Sequence, residues 1–249
     1  MGMGVDDAGE SRAAGRIQDE GVRLAGTVAF ADLDDISLDN LLAVLGACPL
    51  LQNLCISTVS EQVAVRPMDL QLPSLQKLVL AHIDVARPEI LLGHITAPSL
   101  AKLSMPTGLG LTCNSPQAWL SLASFLHRST CSLSIFEIHA PNEQEQYLAD
   151  LLTSSCFSRT VELTILSQIT EVMMVALTVD SGSPPLLPKL SNLWIKEYIG
   201  RSGSFSQMVL SRTRVLQYVR TALHLSLEED FLLSVPTMTL DLVAKQYIQ

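Results

Sequence analysis

The chain is poor in charge and in aromatic rings: 16% of its 249 residues are Asp, Glu, Lys or Arg and 5% are Phe, Trp or Tyr, against 48% hydrophobic. So little charge on so apolar a chain excludes intrinsic disorder, because burial of nonpolar surface can offset the loss of chain entropy. Positive charge is the scarcer sign. Lys and Arg number 16 against 25 Asp and Glu, a net charge of -9. No overall positive field is available to hold a phosphate backbone or an anionic bilayer, so neither nucleic acid nor a membrane is expected as a partner. Cysteine is sparse and odd in number: Cys48, Cys55, Cys113, Cys131 and Cys156 include no CxxC pair. An Asn-x-Ser/Thr acceptor is missing too, since Asn114 is followed by Ser115 and Pro116. Both absences speak against a secreted disulfide framework and for a reducing, intracellular setting, cytoplasmic or nuclear.

Asp6, Asp7 and Glu10 stand where a secretory signal would need a basic start and an apolar stretch. The two long uncharged windows, 40–60 and 103–127, are broken by Pro49, Pro106 and Pro116. A bilayer span needs about 20 predominantly apolar residues with its backbone paired in one helix, so both windows read as buried structure.

Motifs of catalysis and metal binding are lacking as well. The histidines at 82, 94, 127, 139 and 224 are isolated, and Cys48 with Cys55 supplies two ligands where zinc takes four. Gly108-Leu109-Gly110 has no following Gly, Lys and Ser/Thr of a phosphate loop, and the segment from Gly200 to Gly203 misses the spacing of a nucleophile elbow. The acidic run Glu228, Glu229 and Asp230 reads as a solvated helix start, with Ser226 and Glu229 in capping-box relation. Met173 and Met174 read as helix packing. A non-enzyme with no cofactor and no metal is expected.

What is present is a recurring apolar phrase, Leu-x-x-Leu-x-Leu. Its copies place apolar residues at Leu51, Leu54 and Ile56, at Leu75, Leu78 and Leu80, and at Leu100, Leu103 and Met105. They continue at Leu133, Phe136 and Ile138, more weakly at Thr160, Leu163 and Ile165, and finally at Leu190, Leu193 and Ile195. Successive starts are separated by 24, 25, 33, 27 and 30 residues, room for one strand and one return each time. The last two apolar positions of each phrase are two apart, the period of a strand with alternate side chains in a core. Pro49, Pro73, Pro98 and Pro188 stand shortly before the first Leu, where a fixed φ and a missing donor suit the approach to a strand.

Between phrases the period changes to about 3.6. Leu38, Leu41, Leu42 and Leu45 form one stripe, and Trp119, Leu122, Ala123 and Leu126 another, following Pro116. Leu148, Leu151 and Leu152 follow Asn142, with Glu145 in capping-box spacing and read as an outward helix position. A further helix is expected from Ser204 with Gln207, carrying Phe205, Met208, Val209 and Arg212, and a short one over 89–95. One strand with its return cannot bury its own apolar face, whereas six stacked in parallel make a continuous Leu ladder. The expected fold is therefore α/β, a curved solenoid with strands on the concave side and helices on the convex side. Residues 1–23 are expected as a mobile tail, 24–225 as the repeat domain with an irregular first strand at 24–30, and 226–249 as a C-terminal cap.

The phrase with its preceding proline resembles the leucine-rich repeat. The segment from Cys48-Pro49 to Ile56 is similar to the cysteine-containing repeat of F-box proteins. Leu72-Pro73-Ser74-Leu75, Ala97-Pro98-Ser99-Leu100, Phe125-Leu126-His127-Arg128 and the run from Ser183 to Leu190 resemble phrases of the F-box and leucine-rich-repeat proteins of mushroom-forming fungi. That resemblance implies the substrate-receptor part of a ubiquitin ligase, in which an F-box docks on a Skp-type adaptor and the repeats hold the target. The polar residues 1–23 carry no F-box phrase, so a direct complex of these residues with the adaptor is not expected.

In such strands the residues between the apolar positions face the concave side. The surface so defined is Asn53 and Cys55, Lys77 and Val79, Lys102 and Ser104, Ile135 and Glu137, Glu162 and Thr164, then Asn192, Trp194 and Lys196. Lysines precede glutamates along it, and Trp194 is either an exposed anchor or packed beneath the next loop. Non-catalytic recognition of a protein by this face is the leading expectation. A repeat-only scaffold or regulator unconnected to ubiquitination, and an enzyme with a site in the loops, are the alternatives.

Overall fold

Each of the six phrases forms a strand that begins two residues after its first apolar position. The computed structural model describes residues 30–33, 36–56, 59–60, 69–81, 88–106, 116–180, 182, 184–200, 202–223 and 239–244. In chain order these hold β1 (Phe30–Leu33), β2 (Ile36–Ser37), α1 (Leu38–Gly46), β3 (Asn53–Ile56), β4 (Val59–Ser60), β5 (Leu70–Gln71) and β6 (Lys77–Leu80). Then come α2 (Pro88–His94), β7 (Ile95–Thr96), β8 (Lys102–Met105), α3 (Pro116–Ser129), β9 (Ile135–Ile138), α4 (Glu145–Leu152) and β10 (Glu162–Ile169). The chain continues through α5 (Glu171–Leu177), β11 (Asn192–Tyr198), α6 (Ser202–Ser211), β12 (Tyr218–Leu223) and β13 (Thr239–Ala244). The class is α/β. Nine strands make one sheet in the order β1-β3-β6-β8-β9-β10-β11-β12-β13, parallel throughout, and β2-β4 and β5-β7 form two small parallel pairs.

Two local devices set the register. Where proline precedes a phrase, it occupies the second position of a turn closed by the first apolar amide: Leu51 N donates to Cys48 O at 3.1 Å, Leu75 to Leu72 at 3.2 Å, Leu100 to Ala97 at 3.2 Å and Leu190 to Leu187 at 3.1 Å. Thr160 N reaches Phe157 O in the same way at 3.0 Å without a proline. One carbonyl just before each strand then receives two consecutive amides of the next unit. Gln52 O takes Gln76 N and Lys77 N, Gln76 O takes Ala101 N and Lys102 N, and Ala101 O takes Ser134 N and Ile135 N. Ser134 O, Val161 O and Ser191 O repeat the arrangement for β10, β11 and β12.

This register aligns one apolar row across the sheet: Leu54, Leu78, Leu103, Phe136, Leu163, Leu193 and Val219 are successive cross-strand partners, all buried. The buried stripes of the helices join the same core. Leu38, Leu41, Leu42 and Leu45 line α1 as expected; in α3 the stripe is Ala118, Trp119, Leu122, Phe125 and Leu126, and Ala123 faces outward instead. Met173 and Met174 are core residues of α5, and α6 starts at Ser202, two residues before the expected Ser204. Cys48 is half-buried against the core. Phe30 is the only described residue of the expected strand at 24–30, and β1 runs on to Leu33; the expected 226–229 helix start lies outside the described residues. Within the expected C-terminal cap, β13 pairs with β12 as the last strand of the sheet.

Two buried charged groups tie units together. Asn142 caps nothing: it opens a short 3-10 turn, Asn142–Gln144, and α4 starts with Gln144 as its cap residue without a side-chain bond. Glu145, 1% exposed, turns instead to the next unit, where its carboxylate accepts from Thr170 N, from Thr170 Oγ1 at 3.0 Å and from Met173 N at 3.3 Å. It therefore caps the start of α5 from another helix, satisfying amides that a helix end leaves unpaired. Arg212, directly after α6, is buried, and among the described residues no carboxylate pairs with it. Its guanidinium donates to the carbonyls of Leu177, Leu186 and, at 3.1 Å, Leu187. Burial lowers its pKa to about 10. These bonds hold the bend before β11, where Leu187 adopts φ 51°, a left-handed conformation that costs a leucine about 1–3 kcal/mol.

Leu78→Ala, in the middle of the buried row, is expected to lose about 2–5 kcal/mol through the cavity it leaves, read as a lower urea midpoint. Glu145→Ala leaves three donors without their acceptor and is expected to cost about 1–3 kcal/mol, whereas Gln146→Ala on the exposed side of α4 should stay within about 0.5 kcal/mol. Equal midpoints for the last two variants would contradict the capping role.

Candidate functional site

Twelve of the thirteen residues expected on the recognition surface fall into two cross-strand rows on the face opposite the core. In the first row Asn53, Lys77, Lys102, Ile135, Glu162 and Asn192 are successive partners. In the second, Cys55 is followed by Val79, Ser104, Glu137, Thr164 and Trp194. Lys196 is the exception: it lies at an irregularity of β11, where Ile195 and Glu197 pair with adjacent residues of β12, and so stands in neither row. It is exposed all the same.

The surface is not uniformly accessible. Ser104 and Thr164, each 4% exposed, are buried. Both are short side chains next to a long one in the same row; Ser104 Oγ donates to Glu137 Oε2 at 2.8 Å, and Thr164 lies between Glu137 and Trp194. Lys77, Lys102, Ile135 and Glu162 are half-buried, with no ion pair among the described residues. Trp194 is 40% exposed, and the Arg220 guanidinium carbon stands 5.4 Å from its ring centroid. The reading in which Trp194 packs away beneath a loop is thereby set aside.

The phrases do not identify Tyr218 and Arg220, which extend the two rows onto β12 opposite Asn192 and Trp194. Together with Glu162, Thr164, Asn192 and Trp194 they line a depression of about 220 Å³. The signal was available: Leu216, Val219 and Thr221 repeat the phrase with a threonine in its last place, and all three are buried. Farther along the face, Gln168 Nε2 donates to Glu197 Oε2 at 2.8 Å. His139, just after β9, has its pKa lowered by burial and secondarily by the Lys196 charge, which favours the neutral ring.

Elsewhere the candidate chemistry is structural. Gly200 accommodates the Tyr198 ring, since an added Cβ would stand 2.3 Å from its hydroxyl oxygen. Cys48, Cys55, Cys131 and Cys156 are free thiols. Burial pushes Cys131 up to about 12, with Cys156 adding to the rise, and burial raises Cys156 in the same direction. Among the described residues no three His, Cys, Asp or Glu side chains group as a metal site, and no helix is long and apolar enough to cross a membrane. Comparison with family models, curated proteins and solved structures finds no match to the chain.

Directly opposed like charges are unfavourable in a sheet, and opposite charges contribute about 0.2–1 kcal/mol. Lys77→Glu should therefore raise the urea midpoint by pairing with Lys102, and an unchanged or lower midpoint would argue against their direct opposition. Thiolates are the reactive form of cysteine, so Cys131 and Cys156 should resist iodoacetamide at pH 8 in the folded protein and react once it is denatured. Protection that persists in denaturant until a reductant is added would reveal a disulfide instead.

Proposed function

We propose that the chain is a non-catalytic protein-recognition module, a leucine-rich-repeat solenoid whose open sheet face holds a protein partner. The observation that carries this reading is the exposed second face of a parallel sheet. Parallel sheets are ordinarily covered on both faces. Here one face packs on helices while the other presents two registered rows, with Lys77, Lys102, Ile135, Glu162 and the Trp194–Arg220 pair reaching solvent. Strands in chain order, with a helix described in six of the eight connections between them, support the solenoid, because each unit then meets only its neighbours. The phrases that resemble F-box and leucine-rich-repeat proteins extend the proposal to the target-holding part of a ubiquitin-ligase receptor, with a Skp-type adaptor as partner only of an F-box.

Trp194→Ala combined with Glu162→Lys is expected to abolish capture of the natural partner while leaving the folded state intact. Loss of a central aromatic anchor typically costs 2 kcal/mol or more, roughly thirtyfold in affinity. Glu143→Lys, at an exposed position in the turn before α4, serves as control and should change capture little. A partner that survives the double substitution and is lost with the control would overturn the open-face assignment.

A further inference from the structure

The charge order along the first row points to one class of partner, and this inference rests on the recognition-surface reading above. Lys77 and Lys102 are direct cross-strand partners, Ile135 follows on β9, and Glu162 follows on β10. All four are half-buried, so each keeps part of its surface accessible to solvent. The opposed lysines repel each other, and neither forms an ion pair among the described residues. Glu162 likewise lacks a cation partner among them, and Glu137, diagonal to it, is held on one oxygen by Ser104. The face thus keeps a doubled positive site and an acidic site apart, with an apolar residue between them, on a chain whose net charge is -9.

The spacing matches an extended peptide. Neighbouring strands stand about 4.8 Å apart, so the midpoint of the two lysines lies about 7 Å from Ile135 and about 12 Å from Glu162. An extended segment laid across the strands advances about 3.3 Å per residue and turns alternate side chains to one side. Its positions n, n+2 and n+4 then fall at zero, about 7 and about 13 Å. We propose that the open face recognises an extended segment of a partner protein carrying an acidic residue, an apolar residue and a basic residue at alternate positions. The acid meets Lys77 and Lys102, the apolar side chain covers Ile135, and the base meets Glu162. Either chain direction satisfies this order, so the sequence rule is two opposite charges four residues apart with an apolar residue midway.

Selection of displayed random peptides on the full chain tests the rule. Peptides enriched on the parent should carry that pattern. Glu162→Lys should move selection to acids at both ends, and Lys77→Glu with Lys102→Glu should move it to bases at both ends. Each reversal should weaken parent-selected peptides by about tenfold or more. The neutral variants Glu162→Gln and Lys77→Gln with Lys102→Gln should lose the preference at one end only, and they carry the test if a reversed variant fails to fold by circular dichroism. Peptides that depend on Trp194 but show no charge preference would overturn this inference and leave the recognition face standing. Enrichment indifferent to Trp194→Ala and to every charge variant, or no enrichment, would overturn both.

Discussion

A single carbonyl just before each of the six phrase strands, receiving two consecutive amides from the next unit, is the constraint on which the rest of the structure depends. From Gln52 to Ser191 the pattern recurs between neighbouring strands of the sheet. Because strand side chains alternate between faces, a slip of one residue at any of these carbonyls would send Leu78 or Leu103 to solvent and bring a lysine into the core. The buried row and the open rows are thus two outcomes of one register. Proline contributes earlier along the chain, by closing the turn that delivers the carbonyl to its place.

What could be read in advance was what is encoded locally. The apolar phrase specifies a strand because both its period and its proline act within a few residues, and the six phrases became β3, β6, β8, β9, β10 and β11. The α1 stripe was legible for the same reason. Links made across many residues were not. Glu145 has capping-box spacing from Asn142, yet its carboxylate is used some 25 residues away at Thr170, where no local pattern points. Thr221 concealed the phrase of β12 because a buried threonine does not register as apolar in a pattern of leucines. Of the candidate face, the rows followed directly from strand alternation. The burial of Ser104 and Thr164 depended on the length of neighbouring side chains, and the position of Lys196 on an irregularity that the sequence does not announce.

The two faces divide stability from the proposed recognition. Apolar burial and the cross-unit bonds of Glu145 and Arg212 lie on the helix side, so most substitutions on the open side leave the core untouched. An opposed pair such as Lys77 and Lys102 is tolerated there because its repulsion is small beside the energy of the buried row. A surface of this kind can change its partner preference by exchanging a few charges while the fold stays as it is. That separation is what the proposed peptide-reading role requires.

Arg212 also links two parts of the chain in reverse of their order of synthesis. The carbonyls it holds, at Leu177, Leu186 and Leu187, precede β11, whereas Arg212 itself follows α6. A chain emerging from its N-terminal end therefore exposes the bend at Leu187 before the cation that fixes it has been made. The stretch from α5 to β11 is thus closed backwards along the chain, by a side chain that lies on the far side of the strand carrying Trp194 from the bend it holds.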